Sequence, residues 1–395
     1  MLVPKNRFLF EVGKTLGLFR VLKLLLFGVL YEVGILKLED AMRHIYGDLK
    51  GVRIDSILYA FNRIPTMPHL HGLFAQLKAR NYKTALISSG LPTVLVKKLA
   101  DSVGADYAYG VDVEQKDGCL TGEIWGNAII KNGKLTIMRE ILNQEKLQPQ
   151  DTVVVADDRN NRCIFLEETL KIGFNPDFII RIISNRVVNG KLSNIIPVID
   201  GKPHQRNFPS TNDLIREDIH AAGFFMPVIA GMIGIPIVTA TIITIAIIYT
   251  ISELFRLEGR TIPLVSAITR HAASQSELYS FAAAPIYFAF GIVATMLLFP
   301  TQAGGAAIAM FCLGDSAASL FGGLISTSLP FNKGKTWEGS VAGFFFAFLA
   351  GCIFVSPPLA LVGAAFAMTI EVLPLPVNDN VVVPILTGAF LTLLV

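Results

Sequence analysis

The chain has 395 residues, of which 52% are hydrophobic and 16% are charged, and its formal net charge is +3. Soluble proteins carry about 25% charged residues, so this composition excludes an ordinary soluble protein and predicts that part of the chain lies in a membrane. The four cysteines show no CxxC spacing and no basic run occurs. These features argue against a zinc site, a disulfide framework and a nucleic-acid partner.

The charged residues divide the chain into two parts. Residues 1–200 carry charges spread as in a soluble domain, whereas residues 217–395 carry few charges and contain long apolar runs. The polar, proline-containing segment 201–216 between them is typical of a linker. Because no signal peptide is visible, we expect a cytosolic domain followed by a multi-pass integral membrane domain. The early apolar run Leu16–Leu36 contains three charges and predicts amphipathic helices of the soluble domain, with a membrane-surface helix as the alternative.

Two predicted strands of the first part end in polar side chains. The run Lys83–Gly90 ends near the hydroxyl of Ser88, and the run Asp151–Asp158 ends in a carboxylate pair that includes Asp157. Lys134 lies between them and opens a helical pattern. Alternating strands and helices predict an α/β fold with a parallel sheet and a site at the carboxyl ends of its strands. Such a site suits a phosphoryl group and Mg²⁺ or another divalent cation. Surface charges on a Rossmann-like domain would give the same pattern.

The order of these features resembles the haloacid dehalogenase (HAD) superfamily, in its phosphoserine-phosphatase-like branch, over about residues 1–200. The resemblance implies a Rossmannoid α/β domain with a helical cap at about residues 10–70. It assigns Ser88 to the motif II hydroxyl, Lys134 to the motif III lysine and Asp157 to the motif IV metal carboxylate. Asn161 stands where a second motif IV aspartate is usual.

The nucleophilic motif of that superfamily, D-x-D-G-T-L-V, is incomplete in this chain. Met1-Leu2-Val3 resembles only its last three positions, so both aspartates would fall before Met1. No other side chain in the pattern replaces a carboxylate nucleophile. Phosphatase activity therefore stays open: we favour a misassigned start or a fragment, and the alternative is a domain that has become a binding or regulatory module.

A helix needs about 20 apolar residues to cross a membrane, and by this criterion the second part offers seven candidate membrane helices. They lie at roughly 219–235, 237–254, 279–299, 302–325, 341–356, 357–373 and 381–395, which predicts an all-α polytopic domain. Arg256, Arg260, Arg270, Lys333 and Lys335 fall in alternate loops, and the loops between them carry no charge. The positive-inside rule therefore predicts that the charged loops face the cytosol.

Three polar segments would share this cytosolic side: Gly314–Ser319, Asn332–Ser340 and Glu371–Asn380. An ionisable residue beside an apolar run, such as Asp315, is a functional candidate by default. Lysines can bind phosphates, and carboxylates with asparagine carbonyls can hold Mg²⁺. The alternative is that the small residues are helix-packing positions and the lysines are orientation signals.

Taken in order, these segments resemble the CTP-dependent polyprenol and lipid kinases, such as dolichol, phytol, farnesol and yeast-type diacylglycerol kinases, which are related to phosphatidate cytidylyltransferases. The resemblance covers about Asp213–Val395 and includes REDIHAAG, ELFRL, GDSAASLFGG, KGKTWEGSVAGF and EVLPLPVNDN. Matched by position, it makes the following residues nucleotide and metal candidates: Asp315, Lys333, Gly334, Lys335, Thr336, Glu338, Glu371, Asp379 and Asn380.

This second resemblance implies transfer of the γ-phosphoryl group of CTP to a lipid alcohol at the cytosolic membrane face. Asp315, Glu371 and Asp379 would hold Mg²⁺, Lys333 and Lys335 would hold phosphates, and Glu338 or Asp379 would orient the hydroxyl. One alternative is cytidylyl transfer to a lipid phosphate, as in phosphatidate cytidylyltransferases. Another is a membrane anchor without its own activity, attached to a HAD phosphatase. The sequence names neither the lipid nor CTP over ATP.

Overall fold

The computed structural model describes residues 2–3, 11–13, 23–24, 27, 31, 36–201, 209–273, 278, 281–324, 327–375 and 377–395. The chain forms two compact units, Met1–Pro203 and His204–Val395, whose boundary falls in the segment predicted as a linker. The predicted helices of the run Leu16–Leu36 lie largely outside the described residues.

The N-terminal unit has seven α-helices among its described residues: α1 (Leu38–Asp48), α2 (Ile54–Asn62), α3 (Leu70–Ala79), α4 (Thr93–Val103), α5 (Gly133–Glu145), α6 (Phe178–Ile183) and α7 (Ile195–Ile199). The first two lie in the segment predicted as a helical cap. Both bury an apolar face, which includes Ala41 and Tyr46 in α1 and Ile57 in α2.

Its described strands form two three-stranded sheets. In the first sheet β1 (Ala85–Pro92) pairs in parallel with β2 (Tyr107–Lys116), which pairs antiparallel with β3 (Cys119–Trp125). In the second, β4 (Val153–Ala156), β5 (Leu170–Phe174) and β6 (Arg186–Val188) are parallel. The predicted α/β class is confirmed, and both predicted strands are present.

The β2–β3 hairpin is a departure from the wholly parallel sheet that the sequence predicted. Its turn contains Asp117 and Gly118, with φ angles of 53° and 76°. Positive φ at both central residues gives the backbone twist that joins two antiparallel strands tightly, and an Asp-Gly pair adopts it readily. The chain therefore reverses here instead of crossing over through a helix.

One hydrophobic core contains side chains from both sheets. Val111 of β2 and Ile172 of β5 are fully buried in it, and Leu86 of β1 packs against it. Leu2 and Val3 are partly buried against the same core. The carbonyl of Leu2 accepts a hydrogen bond of 3.0 Å from the amide of Met67, so the described start of the chain is held at the core.

The regular elements described in the C-terminal unit are helices, with one isolated antiparallel bridge between Ser328 and Thr336. The unit contains α8 (Thr211–Ala222), α9 (Phe225–Ile233), α10 (Ile235–Leu257), α11 (Pro263–Ala272), α12 (Ala284–Leu298), α13 (Thr301–Gly322), α14 (Trp337–Gly351), α15 (Pro357–Val372) and α16 (Asp379–Thr392). Ser210 caps α8 by accepting a hydrogen bond from the amide of Asp213, so the last six residues of the predicted linker are helical.

Two of these helices, α10 and α13, are long and apolar enough to cross a membrane. Only 17% of the most apolar stretch of α10 is buried, whereas 67% of that of α13 is buried. Four more helices are apolar but shorter: α12, α14, α15 and α16. The unit is therefore helical as predicted, and a seven-helix membrane arrangement stays a prediction.

The predicted single helix at 219–235 is wrong, because the structure has two helices there. The residues between them, Gly223 and Phe224, keep helical dihedral angles. Pro227 lacks an amide hydrogen, so the carbonyl of Gly223 cannot receive the usual bond from the residue four positions later. The hydrogen-bond ladder is interrupted at that point.

Close packing of α13 on α14 explains several small residues of the polar segments. A Cβ atom on Gly339 would lie 2.5 Å from the carbonyl oxygen of Ala318, and one on Gly322 would lie 2.8 Å from Oγ1 of Thr336. A Cβ on Gly343 would lie 2.8 Å from the carbonyl oxygen of Gly314. These glycines let the two helices approach closely. This agrees with the alternative that the small residues are helix-packing positions.

Candidate functional site

The N-terminal unit positions Ser88 and Ser89 in β1 directly after Ile87, where the regular pairing with β2 ends, and gives them different environments. The hydroxyl oxygen of Ser88 accepts hydrogen bonds from the amides of Gly90 at 3.4 Å and Leu91 at 3.2 Å. Ser89 is buried, and its hydroxyl donates to the carbonyl of Ala128 at 2.7 Å. Ser88, the predicted motif II residue, is therefore the more accessible hydroxyl at this strand end.

Lys134 begins a polar chain that reaches the loop after β4. It lies in the first turn of α5 and is buried, and its Nζ donates to Oδ1 of Asn161 at 2.8 Å. The amide group of Asn161 in turn donates to Oδ1 of Asp158 at 3.0 Å. A buried ammonium needs such partners because an uncompensated charge is costly to bury. The structure thus joins the predicted motif III lysine to the predicted motif IV loop.

Asp157 directly follows β4 at the carboxyl end of the parallel sheet. Its carbonyl accepts a hydrogen bond of 2.8 Å from the amide of Asp177, and the carboxylate of Asp177 accepts one of 2.6 Å from the amide of Arg159. These bonds fix the backbone of the motif IV loop. The predicted metal carboxylate therefore lies on a rigid loop at the edge of the sheet where such sites occur.

In the C-terminal unit, three carboxylates from three helices converge on one ammonium group. Nζ of Lys335 contacts the buried carboxylate of Glu371 (α15), lies 3.6 Å from Oδ2 of Asp379 (α16) and lies 4.0 Å from Oδ1 of Asp315 (α13). We call Asp315, Lys335, Glu371 and Asp379 the acidic cluster. Burial by itself lowers the pKa of Lys335, but the three carboxylates outweigh burial and raise this pKa above its ordinary value. Lys335 is therefore held as a cation.

A second group of side chains contacts the opposite oxygen of Asp315. Nδ1 of His220 lies 3.4 Å from Oδ2 of Asp315 and 3.3 Å from the hydroxyl of Ser316. That hydroxyl donates to the backbone carbonyl of Glu217 at 3.1 Å, and Ser319 donates to Oε1 of Glu217 at 2.8 Å. Helix α8 thereby brings Glu217 and His220 against the polar end of α13.

The loop before α14 is built to present Lys335. Asn332 is buried, donates from Nδ2 to the carbonyl of Val372 at 2.9 Å and accepts from the amide of Gly334 at 3.2 Å. Thr336 caps α14 by accepting a hydrogen bond of 3.2 Å from the amide of Gly339. Gly334 and Thr336, predicted as cofactor-binding residues, thus shape the loop that carries the ammonium group.

The other predicted residues lie at the ends of the helices around this loop. Lys333 is adjacent to the buried Asn332 and partly exposed. Glu338 lies in the first turn of α14 and hydrogen-bonds with Thr327. The amide of Asn380 donates to Oδ1 of Asn378 at 3.0 Å, which caps α16. The predicted nucleotide and catalytic roles of these three residues stay predictions.

The structure brings three more residues to the site that had no role assigned from the sequence: Glu217, His220 and Asn332. Glu217 and His220 belong to the segment REDIHAAG of the second resemblance, and they lie on one face of α8 because residues three apart in a helix are neighbours. Asn332 begins the polar segment Asn332–Ser340. The spacing in α8 was a usable signal for the first two, but their contact with Asp315 depends on how α8 packs on α13.

Comparison with known proteins assigns the N-terminal unit to a class. A family model for haloacid dehalogenase-like hydrolases matches residues 4–160. The N-terminal unit is accordingly a HAD-like Rossmannoid domain. Within that class it is similar to the phosphoserine phosphatases of Methanocaldococcus jannaschii, 33% identical over 141 residues, and Archaeoglobus fulgidus, 30% identical over 143 residues. It is a phosphoserine-phosphatase-like domain.

These matches cover part of each protein. Each alignment spans 36% of this chain, and the chain spans 66% of the Methanocaldococcus protein and 41% of the Archaeoglobus protein. A solved structure of a substrate-bound phosphoserine phosphatase complex has a TM-score of 0.45 and 25% identity, and covers 51% of this chain and 94% of that chain.

Proposed function

We propose that the C-terminal unit transfers a phosphoryl group from a nucleoside triphosphate, CTP in the first instance, to the hydroxyl of a membrane lipid. The observation that carries this proposal is the acidic cluster, in which three carboxylates and one ammonium converge from four separate segments. Phosphoryl transfer relies on positioning and charge stabilisation, so a fixed cluster of this composition suits it.

The donor set of the acidic cluster fits Mg²⁺, which prefers carboxylate oxygens and binds together with substrate phosphates. Asp315 and Glu371 would hold the ion, which when bound would neutralise charge on the triphosphate. Lys335 already occupies the space between these carboxylates. Its ammonium group would move by a rotation of its long side chain to a phosphate oxygen, and its raised pKa keeps it charged for that contact.

Asp379 suits the role of orienting the attacking hydroxyl. Its side chain is 37% exposed, against 2% for Glu371, so a substrate can reach it. In the reaction the lipid oxygen forms a bond to the γ-phosphorus as the bond to the bridging oxygen of the nucleoside diphosphate breaks. The proton of the hydroxyl passes to the carboxylate of Asp379, and the diphosphate leaves.

The lipid assignment is supported by the exposed apolar surface of the same unit. Helix α10 exposes Ile237, Ile245 and Ile247, each more than half exposed. Water would disfavour such large exposed apolar side chains, whereas hydrocarbon would not. A hydroxyl at the membrane interface could then reach the acidic cluster at the end of α13.

The proposal is tested with full-length protein in lipid nanodiscs, Mg²⁺ and CTP labelled at the γ or the α phosphate. We expect label from γ-CTP in the lipid product when polyprenols or diacylglycerol are supplied. Label from α-CTP in the lipid would favour cytidylyl transfer instead. Absence of lipid labelling from either nucleotide across that panel, or equal labelling in a Lys335→Met variant, would contradict the proposal.

The N-terminal unit gives a second proposal, because Lys134 and the motif IV loop are joined as described above and the relatives are phosphoserine phosphatases. We propose that it binds a phosphomonoester, with Ser88 and Lys134 contacting the phosphate and Asp157 holding Mg²⁺. The test is binding of phosphoserine, measured by calorimetry, to the full chain and to its Lys134→Met variant. Equal affinity of the two proteins would contradict it.

A further inference from the structure

We propose a second metal site in the C-terminal unit, formed by Glu217 and His220 of α8 together with Asp315 of α13. One ligand atom from each residue lies within 4.8 Å of the others. A transition metal lies about 2.1 Å from nitrogen and oxygen ligands, which holds any two of them at most about 4.2 Å apart. A pair at that upper limit would need to close by about 0.6 Å to lie on opposite sides of the ion, and further to lie at a smaller angle.

The histidine nitrogen in this ligand set favours a different class of cation from the one that suits the acidic cluster. Imidazole nitrogen suits Zn²⁺, Mn²⁺, Fe²⁺ and related ions, whereas Mg²⁺ takes oxygen ligands. A Glu and a His three positions apart on one helix recur in metal sites inside helical bundles, because both then project from the same face. The structure thus assigns to Glu217, His220 and Asp315 a divalent transition metal with one nitrogen and at least two oxygen ligands.

The ring of His220 is held so that Nδ1 faces the proposed site. The ring packs against both Phe288 and Phe311, with ring centroids 4.5 and 4.8 Å away. Nδ1 lies 3.4 Å from Oδ2 of Asp315 and makes a long hydrogen bond of 3.3 Å with the hydroxyl of Ser316, while the buried Nε2 has no hydrogen-bond partner among the described residues. A metal ion at Nδ1 would therefore displace only one long hydrogen bond.

The hydrogen bonds that the carboxylate of Glu217 accepts leave further lone pairs for the ion. Arg216 and Ser319 both donate to Oε1 of Glu217, at 2.9 and 2.8 Å at their closest. A carboxylate offers about four lone-pair positions, so these two donors do not exhaust it. Asp315 contacts Lys335 with Oδ1 and faces His220 with Oδ2, so one carboxylate lies between the two sites.

The test measures metal binding alone, without nucleotide or lipid, so that it is independent of the proposed kinase activity. Metal-free full-length protein in detergent is titrated with Mn²⁺, and bound Mn²⁺ is examined by pulsed electron paramagnetic resonance. We expect one tight site with a histidine nitrogen coupling. His220→Gln should remove that coupling, and both His220→Gln and Glu217→Gln should weaken binding by at least about tenfold.

Matched controls are Asp218→Asn, one residue from Glu217 on α8, and His271→Gln on α11, both exposed. We expect neither control to change the affinity or the nitrogen coupling. Absence of stoichiometric binding, binding without a nitrogen coupling in the unmodified protein, or equal weakening in the controls would overturn the proposal. Absence of a nitrogen coupling in the unmodified protein would overturn the proposal even if a variant fails to fold.

Discussion

At the scale of single residues, Asp315 has the widest set of contacts in the candidate site. One carboxylate oxygen faces Lys335 and the other faces His220, and its carboxylate also interacts with that of Glu371. Its described contacts therefore join the two groups of side chains. Its substitution should therefore separate a functional role from a packing role most clearly.

We predict that Asp315→Asn leaves the protein folded but abolishes lipid phosphorylation. The amide keeps the size of the side chain while it removes a metal ligand whose charge stabilisation is worth several kcal/mol, and about 1.4 kcal/mol corresponds to a tenfold change in rate. The γ-CTP assay should report a loss of at least about a hundredfold, with size-exclusion chromatography as the folding measurement. Asp218→Asn is the matched control, and retention of more than about a tenth of the activity would contradict the assignment.

The sequence predicted the members of the acidic cluster but not all of its partners. A charged residue beside an apolar run stands out because burying a charge is costly, and that signal singled out Asp315, whereas Lys335, Glu371 and Asp379 were matched by position to the second resemblance. Glu217 and His220 lie in an ordinary amphipathic helix, where polar residues are expected on the exposed face. Only the packing of α8 on α13 shows that this polar face is turned inward.

At the scale of elements, glycines on α14 allow this helix to pack closely on α13 beside the candidate site. Gly339 is one turn after the loop that carries Lys335, and its Cα lies against α13. We predict that Gly339→Ala destabilises the unit by about 1–3 kcal/mol, the usual range for overpacking, because the new methyl would press on the carbonyl of Ala318. Lipid phosphorylation should fall with it, since α14 and its preceding loop must shift.

The matched control for this substitution is Gly231→Ala in α9. A Cβ there meets nothing within 4 Å, and alanine favours a helix by about 1 kcal/mol over glycine. Thermal unfolding of both variants in nanodiscs compares them directly. Equal or higher stability of Gly339→Ala relative to the unmodified protein would mean that α13 and α14 are not tightly packed in solution.

The elements themselves were predictable where local signals were strong. The strands ending near Gly90 and Asp157 were predicted because buried apolar runs end there in polar residues. The β2–β3 hairpin was missed although Asp117-Gly118 is a strong turn signal. The start of α8 was also missed, although Ser210 and Asp213 form a capping box. The break before α9 was missed because the hydropathy of this run alone indicates one continuous helix. Pro227 was the signal for the break.

At the scale of the whole molecule, the charge pattern predicts which loops share a side of the membrane. Helix α13 has 22 residues and is about 33 Å long at about 1.5 Å per residue, close to the thickness of about 30 Å of a hydrocarbon core. Its two ends should therefore face opposite sides. Thr301 begins α13, while Ser328 lies in the loop after it.

We predict that single cysteines at Ala272 and Ser328 are labelled only from the cytosolic side, and one at Thr301 only from the opposite side. The native cysteines, Cys119, Cys163, Cys312 and Cys352, must first be replaced by serine or alanine. A membrane-impermeant maleimide on sealed vesicles of known orientation makes the measurement. Labelling of the Ala272 and Ser328 positions from opposite sides would reject the predicted arrangement and the shared site.

The last prediction concerns phosphatase chemistry in the N-terminal unit. The first aspartate in the printed sequence is Asp40, in helix α1, so no aspartate is available beside Leu2-Val3 to form an aspartyl-phosphate. We predict that this chain does not turn over phosphoserine with Mg²⁺, and that a chain extended by Asp-x-Asp-Gly before Met1 does. The amide of Met67 already holds Leu2 at the core, so the extension would continue from a fixed point.

The gained activity should be abolished by Asp157→Asn, with Asp151→Asn as the control at the other end of β4. Turnover by the unextended chain that depends on Asp157 would show that another group is the nucleophile, whereas an extended chain that folds and binds phosphoserine but stays inactive would show that the unit is a binding module.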